Sequence, residues 1–135
     1  MHKPIRCILL VDDDPDDNFF HQFVIEESGL CSEVRIAENG PDALRYLVRT
    51  DQPDYDRPDI IFLDINMPGM NGFEFLKQYH TLPGEQKSRL LLLMLTTSLN
   101  PGDQEKAAAS GEVSGYYTKP LTKAMLQELV NQYFV

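Results

Sequence analysis

The chain switches between short runs that are apolar throughout and longer stretches in which apolar residues recur every third or fourth position. Ile5–Val11 is the first apolar run. From Pro15 to about Glu27 the spacing predicts a helix with Phe20, Phe23 and Val24 on its inner face. Ser32–Ala37 alternates through Val34 and Ile36, as a strand does. Over Pro41–Arg49, Ala43, Leu44, Leu47 and Val48 recur at helical intervals. Ile60–Leu63 predicts a third strand, and Gly72–His80 a helix showing Phe73, Leu76 and Tyr79 or His80. Leu90–Leu95 is the fourth strand, Asp103–Ser110 a short helix and Val113–Thr118 the fifth strand. Leu121–Tyr133 closes the pattern as a helix with Met125, Leu126, Leu129, Val130 and Tyr133 inward.

Strands that are apolar on both sides belong to a parallel sheet covered on both faces. Five strand–helix units in succession therefore predict an α/β fold: a five-stranded doubly wound parallel sheet in a flavodoxin-like three-layer sandwich. The common strand order at this size is 2-1-3-4-5. The length of 135 residues fits one domain over 1–135. Since the last helix reaches the end of the sequence, no output domain is expected.

Composition narrows the function classes. Twelve Lys and Arg against 21 Asp and Glu give a net charge of −9, so the chain is repelled by phosphate backbones and nucleic acid is not an expected partner. The longest apolar run, Leu90–Leu95, falls far short of the ~20 residues that span a bilayer, so no membrane partner is expected. The first six residues lack the features of a signal peptide. The expectation is a soluble, cytoplasmic protein. Cys7 and Cys31 show no CxxC spacing and read as small buried hydrophobes. His2, His21 and His80 form no zinc pattern.

In such a sheet, ligands bind outside the carboxyl ends of the strands. Strand one ends in Asp12-Asp13-Asp14, strand three in Asp64, strand four in Thr96-Thr97-Ser98 and strand five in Lys119-Pro120. The order 2-1-3-4-5 makes these four strands neighbours. Carboxylates this close repel each other unless a cation joins them, and Mg²⁺ is commonly held by one or two carboxylates with phosphate oxygens. Lys119 adds an ammonium and Thr96 a hydroxyl. The set suits a phosphoryl group, with a carboxylate as the nucleophile. Asp14 before Pro15 reads as a helix cap, and Asp16 and Asp17 as acids favoured by the helix dipole. A calcium loop starting at Asp12 fails, because its sixth and twelfth positions hold Asp17 and Phe23. A flavodoxin-type cofactor is not expected, since five carboxylates between Asp12 and Asp17 would repel its phosphate.

Four segments carry a resemblance: Ile8-Leu9-Leu10-Val11-Asp12-Asp13-Asp14, Phe62-Leu63-Asp64-Ile65-Asn66-Met67-Pro68-Gly69-Met70-Asn71-Gly72, Leu95-Thr96-Thr97 and Gly115-Tyr116-Tyr117-Thr118-Lys119-Pro120. Together they resemble the receiver domain of two-component response regulators, of the chemotaxis type, over essentially the whole chain. The resemblance implies that Asp64 accepts a phosphoryl group from a histidine kinase. It implies Mg²⁺ held by Asp12, Asp13, Asp64 and the backbone carbonyl of Asn66. Lys119 would pair with the phosphoryl group, Thr96 (chosen over Thr97 because it directly follows the apolar run) would swing toward it, and Tyr116 would be the aromatic switch. It also implies a cis Lys119–Pro120 bond, an isomer accessible before proline.

The resulting expectation is a signalling module rather than an enzyme. Its surface of fourth helix, fifth strand and fifth helix would respond to phosphorylation, forming a homodimer or docking a downstream protein. The C-terminal Tyr133, Phe134 and Val135 would extend that surface. A phosphorelay shuttle is the alternative within the same class. A phosphatase of the haloacid-dehalogenase type is the alternative outside it. Those enzymes place a second acid two residues after the nucleophile, where this chain has Asn66.

Overall fold

The computed structural model describes residues 3–98 and 100–134. Its elements run β1 (Ile5–Val11), α1 (Pro15–Ser28), β2 (Cys31–Ala37), α2 (Gly40–Leu47), β3 (Ile60–Leu63), α3 (Gly72–His80), a single 3₁₀ turn (Gly84–Gln86), β4 (Leu91–Thr96), α4 (Pro101–Ala109), β5 (Gly115–Thr118) and α5 (Lys123–Tyr133). The sheet has the order β2-β1-β3-β4-β5 with every neighbouring pair parallel, as the alternation of elements predicts.

Both faces of the sheet are covered, which is why β3 is apolar at every position and β1 and β4 at all but one, Arg6 and Thr96. Successive side chains of a strand point to opposite faces. Leu9 and Val11 of β1 thus join Ile61, Leu63, Leu92 and Met94 in one core, closed by Ala43, Leu47, Phe75, Leu76 and Tyr79 of α2 and α3 and by Ala107 of α4. Ile8 and Leu10 join Ile60, Phe62, Leu93 and Leu95 in the other, closed by Ile25 of α1 and by Leu126 and Leu129 of α5. Cys7 and Cys31 are free and buried, and burial pushes their thiols up to about 12 and about 11. They are packing residues, not reactive ones.

Strand and helix positions follow the pattern in the sequence, with small shifts at the ends: β4 starts at Leu91 and includes Thr96, β5 starts at Gly115, and α4 starts at Pro101. Some inward faces differ. On α1 the buried residues are Asn18, His21 and Ile25, whereas Phe20 and Phe23 are about half exposed and Phe19 is 75% exposed. The helix is turned by a polar contact: the Asn18 side-chain amide donates to the Asp12 carbonyl at 2.8 Å. Val24 keeps its expected place against the core. On α3, Phe75 and Tyr79 stack inward with ring centres 5.7 Å apart, Phe73 lies at the flank and His80 faces outward to Glu112. Val48 caps α2 and is exposed. At the C-terminus Tyr133 is 38% exposed while Phe134 packs against the core beside α5. The inward turn expected of Tyr133 is therefore made by its neighbour, and Val135 lies outside the described residues.

The turn of α1 has a measurable consequence. Ile25→Ala should cost about 2–5 kcal/mol, the range for emptying a packed site. Phe23→Ala should cost less than about 1 kcal/mol, as for a surface change. Denaturant unfolding of the two variants checks the ranking, and the reverse order would mean that the phenylalanines form the inner face.

Candidate functional site

The sheet register assembles the site. Val11 pairs with Leu63, Leu63 with Met94, and Thr96 with Thr118. The ladder bonds continue one residue past these ends: the Asp12 amide donates to the Ala37 carbonyl at 3.1 Å, Asp64 to Val11 at 3.0 Å and Lys119 to Thr96 at 2.9 Å. Backbone that carries the polar groups is thus as firmly paired as the strands themselves. The Lys119–Pro120 bond is cis. Behind Asp64 the chain turns tightly into α3, and only glycine fits at position 72: a Cβ there would lie 2.6 Å from the Asp64 carbonyl oxygen and 2.9 Å from Ile65 Cα. A capping box between Asn71 and Glu74 starts the helix at that point.

Asp12, Asp13 and Asp64 each bring a carboxylate oxygen within 4.8 Å of the others. Asp12 and Asp64 are buried. Lys119 lies among them with its ammonium 2.7 Å from Asp12, 2.7 Å from Asp17 and 3.5 Å from Asp64. Burial pushes the Asp64 carboxyl above its ordinary value. Lys119 opposes that rise, the Asp12 charge adds to it, and the Thr96 hydroxyl and Ile65 amide oppose it. Burial alone would lower the Lys119 ammonium, but its bonds to Asp12 and Asp17 and the charge of Asp64 outweigh burial and raise it. The lysine is therefore a fixed positive charge. Three converging carboxylates, one of them destabilised in its charged form, are an all-oxygen donor set that fits a hard divalent cation.

Thr96 is fully buried at the end of β4 and its hydroxyl accepts from the Ser98 amide at 3.2 Å, whereas Thr97 is exposed. Tyr116 is half-buried on β5 against the core, and its hydroxyl donates to the Ser98 carbonyl at 2.9 Å. Asn66 is exposed on the loop after Asp64. Asp14 caps α1 by accepting from the amides of Asp16 and Asp17, as its place before Pro15 predicts.

Two features escape the hydrophobic pattern. Asp17 is not only an acid in the first turn of α1; it is one of the two closest partners of Lys119. Asn18 and His21 line a small buried space with Asp12 and Asp64. Burial lowers the His21 imidazole, with Lys119 acting in the same direction and Asp17 and Asp12 against it. The signal for both was the turn of α1, since one rotation places 17, 18 and 21 toward the strand ends. A cavity of about 460 Å³ between α3 and α4 lies against Phe73, Leu76 and Lys106, and its mainly apolar lining offers no acceptor chemistry.

Comparison with known proteins agrees with this geometry. The profile of the response regulator receiver domain matches residues 8–131. Protein PilH of Pseudomonas aeruginosa is 32% identical over 127 residues, covering 92% of this chain and 93% of that protein. The solved two component response regulator from Cytophaga hutchinsonii superposes with a TM-score of 0.84 at 35% identity, over 95% of this chain and 96% of that one. The Mn²⁺-bound form of response regulator Rcp1 superposes with a TM-score of 0.75 at 29% identity, over 93% and 92% of the two chains; a protein of that name from Synechocystis is 34% identical over 120 residues, 87% of this chain and 78% of that protein.

Carboxylate crowding sets the response to metal, and the burial of Asp64 sets the response to pH. Mg²⁺ at millimolar concentration should raise the melting temperature by mass action, and Asp13→Ala should remove most of the rise. The raised Asp64 carboxyl means that its ionised form opposes folding in metal-free solution: its contribution to stability is full below the unfolded value and is lost as pH rises through the folded one. Asp64→Asn should therefore raise the metal-free melting temperature by a few degrees at pH 7, with the gain vanishing below about pH 4. Thermal melts at both pH values, with and without Mg²⁺, check each sign.

Proposed function

The chain belongs to the response regulator receiver domain family, and from that premise we propose that it is a single-domain switch that takes a phosphoryl group from a histidine kinase onto Asp64. The observation that carries this reading is the convergence of Asp64 with two further carboxylates and the Lys119 ammonium at one sheet edge. Receiver domains are signalling modules, and the chemistry here is self-catalysed phosphoryl uptake and loss rather than turnover of a substrate.

Asp12, Asp13 and Asp64, with the backbone carbonyl of Asn66, would hold Mg²⁺. When bound, the ion supplies positive charge against the carboxylates and the phosphoryl oxygens. The protein's own part is positional. An Asp64 carboxylate oxygen attacks phosphorus, forming an acyl-phosphate O–P bond. The donor's N–P bond breaks, and the histidine nitrogen keeps the electron pair. Lys119 provides an ammonium for the charge that arrives, and Thr96 a hydroxyl for one phosphoryl oxygen.

A docking donor finds an apolar surface beside the acceptor. Phe19, Phe20 and Phe23 are exposed on α1, the helix whose inner residues line the acidic site. Output is read from a chain of hydrogen bonds. Thr96 is bonded to the Ser98 amide, Tyr116 to the Ser98 carbonyl, and the Ser98 hydroxyl to Asp103 of α4 at 2.7 Å. A pull on Thr96 is thus delivered to both α4 and β5, which supports the face of α4, β5 and α5 as the surface that docks a downstream protein or a second copy. Among the described residues no helix is long and apolar enough to cross a membrane.

With Mg²⁺ and a small phosphodonor, or a histidine kinase, the protein should take up one phosphoryl group. Asp64→Asn should abolish labelling and Asp14→Asn should not; phosphate-affinity electrophoresis with peptide mapping reads both, and a fully labelled Asp64→Asn chain would remove the assignment. Thr96→Ala should still accept the group but lose the shift of α4 and β5 resonances expected on phosphorylation of the wild type, as read by NMR.

A further inference from the structure

Among the described residues Lys119 is the ammonium at the site, and its closest contacts are two carboxylates of different standing. Asp12 belongs to the cluster of three that fits a cation, and Asp17 does not. A metal ion held by Asp12 would share its charge and so loosen its hold on the lysine. Asp17 lies outside that cluster, 2.7 Å from the ammonium, on the helix whose Asn18 donates to the Asp12 carbonyl. From this position the ammonium is 3.5 Å from Asp64, a longer contact than the 2.7 Å it makes to Asp12 and to Asp17. The neighbouring Asp16 offers a contrast: it shares the helix turn and its dipole but is exposed, and its carboxylate makes no ion pair among the described residues.

We propose that Asp17 is a positioning residue whose carboxylate holds Lys119 toward α1, in closer contact than Asp64 has with it, and thereby restrains phosphoryl uptake. This role rests on the reading of Asp64 as the acceptor. Its energetic logic is differential: the contact stabilises the resting protein more than the phosphorylated one, so it biases the equilibrium between them. The loss of Asp17 would leave Lys119 with Asp12 and Asp64, both of which would share a bound metal, and would free the ammonium for the incoming phosphoryl oxygens.

The test compares the full chain with Asp17→Asn, Asp17→Glu and Asp16→Asn. In the first arm, the unphosphorylated proteins are treated briefly with acetic anhydride, and acetylation of Lys119 is read by peptide mass spectrometry against the exposed Lys77 of the same chain. In the second arm, phosphoryl uptake from acetyl phosphate is followed with Mg²⁺. Asp17→Asn should raise both Lys119 acetylation and the uptake rate by about fivefold or more, the scale of a coupling between linked sites. Asp17→Glu should return both toward wild type, and Asp16→Asn should change neither. Equal Lys119 acetylation in Asp17→Asn and wild type overturns the anchor. An equal rise in Asp16→Asn also overturns it, because net charge alone would then suffice. Raised acetylation with uptake unchanged or slower overturns the restraint. A wild-type chain that takes up no phosphoryl group overturns the acceptor reading and the restraint with it, while the acetylation arm still decides the anchor.

Discussion

The structure depends on a charge imbalance held at one edge of the sheet. Asp12, Asp17 and Asp64 lie around the Lys119 ammonium, and Asp13 joins Asp12 and Asp64 in a cluster of carboxylates. Two unit charges about 4 Å apart interact by roughly 4 kcal/mol at an effective dielectric of about 20. One lysine leaves the cluster with excess negative charge, and at Asp64 it opposes without cancelling the rise that burial causes and the Asp12 charge adds to. On the proposed reading, a divalent cation would relieve the repulsion and a phosphoryl group would restore it, and that opposition would give the site two states instead of one.

Such an imbalance persists only on a frame that does not yield. The ladder bonds of Asp12, Asp64 and Lys119 extend the sheet beyond its last apolar residues. Gly72 lets α3 approach the Asp64 carbonyl so closely that no side chain could be admitted. On the far side of the sheet, Asp59 is almost fully buried and accepts from the Arg6 amide at 2.8 Å and the Arg89 guanidinium at 2.6 Å. That carboxylate is paired and belongs to the frame. The acids at the opposite edge are crowded, and the same chemical group therefore serves opposite ends in one small domain.

The strand ends were legible in the sequence because each apolar run stops abruptly at a polar residue, and parallel order then makes neighbours of residues far apart in the chain. Asp64 and Lys119 needed nothing more than that. The inner face of α1 was not legible, because hydrophobic spacing assumes that burial follows apolarity. Here the rotation is set by the bond from Asn18 to the Asp12 carbonyl, which turns polar Asn18 and His21 inward and leaves three phenylalanines outside. Asp17 was hidden for the same reason: its role as an acid in the first turn was sufficient on local grounds, and its contact with Lys119 spans 102 positions of sequence. At the C-terminus, the exchange of Tyr133 for Phe134 is one step in register, which spacing near a helix end does not define.

Which element can move is decided by how each helix is anchored. α3 buries Gly72, Phe75, Leu76 and Tyr79, and its first turn is packed against the Asp64 backbone. α5 buries Leu126 and Leu129, and Phe134 adds a further apolar contact after its end. α4 buries only Ala107. Displacing α4 therefore exposes little apolar surface, and regions with few buried apolar contacts open at the lowest free energy. The same helix is joined through Asp103 and Ser98 to Thr96 and Tyr116. On the proposed reading, a change of charge at Asp64 would meet a firm wall at α3 and a loosely seated helix at α4, and the hydrogen-bonded route would lead to the helix that is less costly to shift.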